Sequence, residues 1–325
     1  MNAQEVYALR DRVLDGHDVT KEEALDLFDA PLEALASSAD AIRRHFCADG
    51  FDMCTIINGK SGRCSENCRF CAQSGHHHTN VDEYPLLDEE TIVEGAKENA
   101  RQGVLRYSIV TSGRRLAPEE VKTMARAVRR IREEVDIDVC VSFGLLEEEE
   151  FRLLKEAGVS RIHNNLETSE RFFPSICSTH TFADKLQAIA NAKAAGLGVC
   201  SGGIFGLGET VEDRIDMALT LRDLHIKSVP VNVLNPIPGT PLGDVTPLSP
   251  EEVQRMVAIY RFLLPDVSVR LAGGRGLLPD KGRACFTSGA NAAISGDMLT
   301  TQGITVAKDR ALLDELGYTL RHDYA

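Results

Sequence analysis

IDVCVSF, residues 137–143, alternates polar and apolar side chains after its first residue. Successive side chains of a strand point to opposite faces, so Val139, Val141 and Phe143 share one face and Asp138, Cys140 and Ser142 the other. The same parity recurs along the chain. In LRYSI, Leu105, Tyr107 and Ile109 oppose Arg106 and Ser108. In SRIHNNLE, Ile162 and Leu166 oppose Arg161, His163, Asn165 and Glu167. In SVPVNV, three valines oppose Ser228, Pro230 and Asn232, and in VSVRL, Val267, Val269 and Leu271 oppose Ser268 and Arg270. With DMCTIIN, LGVCSGGIFG and ANAAIS, eight such runs follow one another from Phe51 onward.

Amphipathic stretches separate the runs. In EEVKTMARAVRRIREE, Val121, Met124, Ala125, Val128 and Ile131 recur at helical spacing, and EEVQRMVAIYRFL repeats the pattern with Val253, Met256, Val257 and Tyr260. Strands alternating with helices, eight times over, predict an α/β fold of the (β/α)8 TIM-barrel type. Residues 1–46 read as an N-terminal helical extension, a cap or dimer arm, and residues 47–325 as the barrel. The valine faces must lie against the helices, so the polar faces line the lumen. Barrels of this class fill that lumen with branched apolar side chains. Arginines, cysteines, asparagines and a glutamate pointing inward need partners, most simply a polar cofactor and substrate.

The 325 residues carry 36 basic and 49 acidic side chains, a formal net charge of −13. An acidic chain without a basic block is a poor partner for nucleic acid or an anionic membrane. No apolar run is long enough to span a bilayer, and the start lacks an apolar signal core, which places the protein in the cytoplasm. Nine cysteines in a reducing compartment point to metal binding or catalysis rather than to disulfides.

Three of the nine, Cys64, Cys68 and Cys71, crowd into GKSGRCSENCRFCAQSGHHHT, residues 59–79, just after the first strand. That loop lies at the C-terminal end of the barrel, where active sites of this fold sit. A structural zinc would take a fourth ligand, and His76, His77 or His78 could supply it in a non-catalytic binding protein. A 4Fe–4S cluster held by three thiolates leaves one iron open to a chelating small molecule. The spacing and the barrel context favour the cluster, and the histidines read as a solvated stretch.

C-x3-C-x2-C with Phe70 before the last cysteine resembles the signature of radical S-adenosylmethionine enzymes. The resemblance narrows to the biotin synthases from Phe51 to about Thr301. CSENCRFCAQS, HNNLETS, VCSGGIFGLGET, SVPVNVLNPIPGTPL, VRLAGGR and FTSGANAAISG look like that family's segments in that family's order. It implies that S-adenosylmethionine chelates the open iron and yields a radical that starts sulfur insertion into dethiobiotin. It also implies a second, deeper iron–sulfur cluster held by three cysteines and an arginine. Cys140, Cys200 and Arg270 match that set, but Ser108 stands where the family has its remaining cysteine. Thiolate is the softer iron ligand, so Cys54 is favoured for that place over Ser108 ligating through its oxygen with Cys54 merely packed, and the cluster is expected to be 2Fe–2S or a larger type. Asn165 and Glu167 are implied contacts of the cofactor ribose and substrate, with Arg106 orienting Glu167. Gly202, Gly203 and Ile204 are implied beside the adenine and methionine, and Asn232 at the cyclic urea of dethiobiotin. An electron donor such as flavodoxin or ferredoxin and a homodimer are implied as well. Cys47, Cys177 and Cys285 read as packing residues. Relatives such as a hydrogenase-maturation protein or methylornithine synthase are rivals that need no deep sulfur donor.

Overall fold

The computed structural model describes residues 1–322. Three helices, α1 (Ala3–Leu14), α2 (Lys21–Phe28) and α3 (Leu32–Cys47), precede β1 (Gly50–Lys60). There follow α4 (Glu89–Arg101), β2 (Arg106–Thr111), α5 (Pro118–Glu134), β3 (Asp138–Ser142), α6 (Glu148–Ala157), β4 (Arg161–His163) and α7 (Phe182–Ala194). The second half holds β5 (Gly198–Cys200), β6 (Gly203–Phe205), α8 (Val211–Asp223), β7 (Ser228–Val233), α9 (Pro250–Leu263) and β8 (Ser268–Leu271). The short α10 (Arg283–Phe286), β9 (Ala292–Ser295), α11 (Val306–Leu316) and β10 (Thr319–Leu320) complete it. All pairings between named strands are parallel, and β1 pairs with both β2 and β9, which closes the sheet into the expected barrel.

Each of the eight runs read from parity forms a barrel stave. LGVCSGGIFG is interrupted at Ser201 and Gly202, which divides it into β5 and β6, both paired with β7. The break lies opposite Pro230, which has no N–H to give the ladder. A Cβ on Gly202 would stand 2.0 Å from the Pro230 carbonyl oxygen, so only glycine lets the two backbones approach there. β10 is an addition: its two residues pair with Gly50 and Phe51 at the N-terminal end of β1, and so short a strand carries no periodic signal.

Tyr107, Ile109, Val139, Val141, Ile162, Val229, Val231 and Val269 are buried between the strands and the helix ring, as the parity requires. The preceding helices bury their apolar faces on the barrel. α1 packs on α3, α3 on α9, and α2 on α8 and α9. Among the described residues no helix is long and apolar enough to cross a membrane.

Arg261 of α9 ties this outer layer to the staves. It is fully buried, and its guanidinium donates to the carbonyls of Gly289 (2.8 Å) and Val267 (2.8 Å) and to Asn291 Oδ1 (2.7 Å). Replacing it with leucine removes the guanidinium donor from the Gly289 and Val267 carbonyls and leaves Asn291 Oδ1 with only the Val269 N–H. We predict that Arg261→Leu lowers folding stability by about 3 kcal/mol. Urea denaturation checks this; an unchanged midpoint would show that the network contributes nothing.

Candidate active site

The register of the parallel pairs decides which lumen residues share a level. Cys54 on β1 pairs with Arg106 on β2, which pairs with Asp138 on β3; two residues further along β3 is Cys140. Cys140 pairs with Arg161, and Arg161 with Gly198; two residues on is Cys200. Cys200 pairs with Ser228, and Ser228 with Ser268; two residues on is Arg270. Arg270 pairs with Ala292, and Ala292 with Asp52; two residues on is Cys54 again. Barrels of this class stack their inward side chains in layers of four from alternate strands. Cys54, Cys140, Cys200 and Arg270 therefore form one closed layer. The same count puts Ser108 with His163, Pro230 and Ile294, one layer nearer the mouth.

Side-chain contacts agree with the count. Arg270 Nη1 donates to Cys54 Sγ at 3.2 Å, and Ser228 Oγ lies 3.4 Å from Cys200 Sγ. Burial pushes the Cys54 thiol up to about 11 and the Cys140 thiol up to about 12, against the pull of Arg270 and Arg106 respectively. Burial also acts to raise Cys200, but a hydrogen bond to His163, with the charges of Arg270 and Arg161, brings it down to about 7. Beneath this layer, Asp52 accepts from Arg106 at 2.6 Å and lies 3.2 Å from Arg270 and 3.9 Å from Arg161.

A cavity of about 410 Å³ runs from this floor to the cysteine loop, lined at its base by Cys54, Arg106, Ser108, Cys140, Cys200 and Arg270. Cys64, Cys68, Phe70 and Cys71 line its other end. The loop is fixed by its own backbone: Cys64 N–H donates to the Gln73 carbonyl at 3.0 Å, Cys71 N–H to Cys68 at 3.0 Å, and Gly75 N–H to Cys64 at 2.8 Å. His76 and His78 are exposed, and His76 and His77 bond the carbonyls of Ser65 and Cys68. His76 and His77 thus serve the loop backbone.

Midway, Asn165 Nδ2 donates to Glu167 Oε2 at 3.3 Å, while Asn165 Oδ1 accepts from Gly202 N–H at 3.0 Å. Glu167 has φ 71°, and its N–H and carbonyl are held by Gly202 and Ile204 at 3.1 and 2.9 Å. Two backbone bonds hold this glutamate in a left-handed conformation, with its carboxylate on the cavity wall. A Cβ on Gly203 would stand 2.4 Å from the Glu167 carbonyl oxygen. Asn232 accepts from Gly273 N–H at 2.8 Å and donates to the Gly203 carbonyl at 3.0 Å. One N–H and one lone pair of its amide remain for a ligand.

One expectation is corrected. Arg106 opens β2 at the floor and is held by Asp52, whereas Glu167 lies beyond the C-terminal end of β4. The residue that orients Glu167 is Asn165. Cys47 and Cys285 are buried packing residues, as expected, but Cys177 brings its sulfur to 3.7 Å from Cys68 Sγ. His163 and Arg161 stood on the polar face in the sequence, yet only the register reveals their neighbours.

Residues 60–221 match the family model of the radical SAM superfamily, and residues 230–319 match that of the biotin and thiamin synthesis associated domain. Biotin synthase 2 of Corynebacterium diphtheriae is 57% identical over 321 residues, covering 98% of this chain and 97% of that protein. Biotin synthase of Brachyspira hyodysenteriae is 56% identical over 312 residues, covering 96% and 94%. Methylornithine synthase superposes with a TM-score of 0.83 at 20% identity, covering 97% of this chain and 98% of that one. The FeFe-hydrogenase maturase HydG from Carboxydothermus hydrogenoformans superposes at 0.81 with 18% identity, covering 98% and 79%. At such identity the two structures share the fold.

The lowered Cys200 thiol is measurable in metal-free protein. Its thiolate adds stability at pH above the unfolded value near 9, and this is lost as pH falls through about 7. We predict a thiolate absorbance step near pH 7 that Cys200→Ser removes and His163→Ala moves upward. Absence of any such step would contradict this environment.

Proposed function

We propose, since the chain belongs to the biotin synthase family, that it converts dethiobiotin to biotin by radical sulfur insertion, using S-adenosylmethionine and two iron–sulfur clusters. The donor chemistry fits. Three half-buried thiols lie on one fixed loop at the mouth, and three buried thiols and a guanidinium share one layer below. Soft thiolates are the iron–sulfur ligands, and the Arg270 guanidinium adds positive charge beside them. When bound, the 4Fe–4S cluster supplies the electron that cleaves S-adenosylmethionine to a carbon radical, and the second cluster supplies the sulfur.

The chain's own residues hold and orient. Cys64, Cys68 and Cys71 would hold the mouth cluster. Phe70 lines the cavity beside them. Glu167, fixed by Asn165, accepts from ribose hydroxyls. Gly202, Gly203 and Ile204 let the cofactor lie against backbone. The free half of the Asn232 amide both donates and accepts, as a cyclic urea requires. Fixed groups around a narrow cavity hold the substrate carbon between the two sulfur-bearing levels and exclude water, which protects a reactive radical.

For the second cluster we favour Cys54, Cys140 and Cys200, with Arg270 beside or on it, over ligation by Ser108. The single observation that carries this reading is the closed layer of three thiols. It also separates the chain from the methylornithine synthase and hydrogenase-maturase readings, which need no sulfur donor at that depth. The reading keeps residues 1–46 as a helical extension and 47–325 as the barrel. It also keeps a flavodoxin- or ferredoxin-type electron donor, a homodimer and a cytoplasmic setting, where free thiols stay reduced.

Cys54→Ala and Ser108→Ala, reconstituted anaerobically, test it by iron and sulfide content, cofactor cleavage and biotin formation. Cys54→Ala is expected to lose the second cluster's iron and sulfide and to form biotin more than about tenfold more slowly, a cost above that of most outer contacts. It keeps cofactor cleavage, and Ser108→Ala keeps both clusters. The reverse pattern would assign the ligand to Ser108.

A further inference from the structure

The segment after β4, SICSTHTF (residues 175–182), places a cysteine and a histidine three residues apart. It runs alongside the mouth loop. Arg69 N–H donates to the Ile176 carbonyl at 2.9 Å, and Asn67 Oδ1 accepts from Ser178 N–H at 3.0 Å and Thr179 N–H at 3.3 Å. These bonds hold Cys177 Sγ 3.7 Å from Cys68 Sγ and 3.3 Å from His180 Nδ1. One donor atom from each of the three residues lies within 4.8 Å of the other two. Glu66 Oε2 is 2.6 Å from the same His180 nitrogen, with Arg114 3.7 Å from that carboxylate. Cys177 and His180 are buried, while Cys68, His180 and Glu66 open onto the large cavity, which gives a cation a way in.

The spacings have a specific meaning. Two thiolates on one tetrahedral zinc, with bonds of about 2.3 Å, stand about 3.8 Å apart, and a thiolate and an imidazole nitrogen about 3.6 Å apart. The distances of 3.7 and 3.3 Å are close to those edges. Two sulfurs and an imidazole are also the donors that a soft divalent cation selects over magnesium or calcium.

We propose that Cys68, Cys177 and His180 form a seat for a divalent cation such as zinc in the cluster-free chain, with the fourth position left to a water. Cys68 belongs to both this seat and the mouth cluster, so the two occupants exclude each other. The cation holds the Cys68 sulfur away from Cys64 and Cys71 until the cluster displaces it.

The test uses the full-length, cluster-free chain under anaerobic conditions. Cobalt(II) is added and followed optically, and N-ethylmaleimide labelling of each cysteine is read by mass spectrometry. The expected result is a tetrahedral cobalt–thiolate spectrum. Labelling of Cys68 and Cys177 should slow at least about tenfold, while Cys64 and Cys71 stay reactive. His180→Ala should abolish both effects, with circular dichroism confirming its fold. Three outcomes overturn the proposal: no cobalt–thiolate spectrum, joint protection of Cys64, Cys68 and Cys71 with Cys177 still reactive, or protection confined to Cys54, Cys140 and Cys200. These patterns come from the unmodified chain, so they decide the matter even if the variant fails to fold. A second arm reconstitutes the mouth cluster with and without bound zinc. Slower assembly in the unmodified chain but not in Cys177→Ser is expected, and equal rates would overturn the mutual exclusion. This arm rests on the cluster assignment at Cys64, Cys68 and Cys71, whereas the labelling arm does not.

Discussion

The register of a closed parallel barrel is the constraint on which the rest of this molecule depends. Each pair of steps around the sheet advances the layer by two residues, and the fourth such advance returns to Cys54. The four advances make up the shear of eight that lets eight strands close with a filled interior. Residues far apart in the chain, from β1, β3, β5 and β8, meet at one height because this register closes the ring. A slip of one residue in any strand would turn its lumen side chains toward the helices. Burial of the valine faces on the helices thus fixes the position of the thiols.

Two levels of sulfur follow, and the structure between them is spacing. The upper level is a loop stabilised by its own backbone bonds, which puts its three cysteines on the cavity wall without a strand to carry them. The lower level is carried by strands. Gly202 and Gly203, Asn165 and Glu167 occupy the gap, where a proline in β7 breaks the ladder and close backbone approach replaces side-chain packing. The left-handed Glu167 shows strain held where the cavity wall needs a carboxylate.

Much of this was legible in the sequence because alternation is local. IDVCVSF and SRIHNNLE declare their faces within a few residues, and eight such runs separated by helical stretches leave one architecture. The cysteine loop was legible for the same reason. Register is not local. That Ser108 stands one layer above Cys54 follows only from counting pairs around the whole sheet, and so does the place of Arg106 at the floor rather than beside Glu167. The nearness of Cys177 to Cys68 depends on a loop crossing between residues more than a hundred positions apart, and no periodicity encodes it. β10 escaped for a simpler reason, being two residues long.

Anomalous diffraction at the iron edge, on anaerobically grown crystals of the reconstituted protein, tests the central claim most directly. The account predicts two separate iron centres in each chain, one at Cys64, Cys68 and Cys71 and one within the layer of Cys54, Cys140, Cys200 and Arg270. A single centre at the mouth, with the lower layer free of iron in protein that forms biotin, would contradict it.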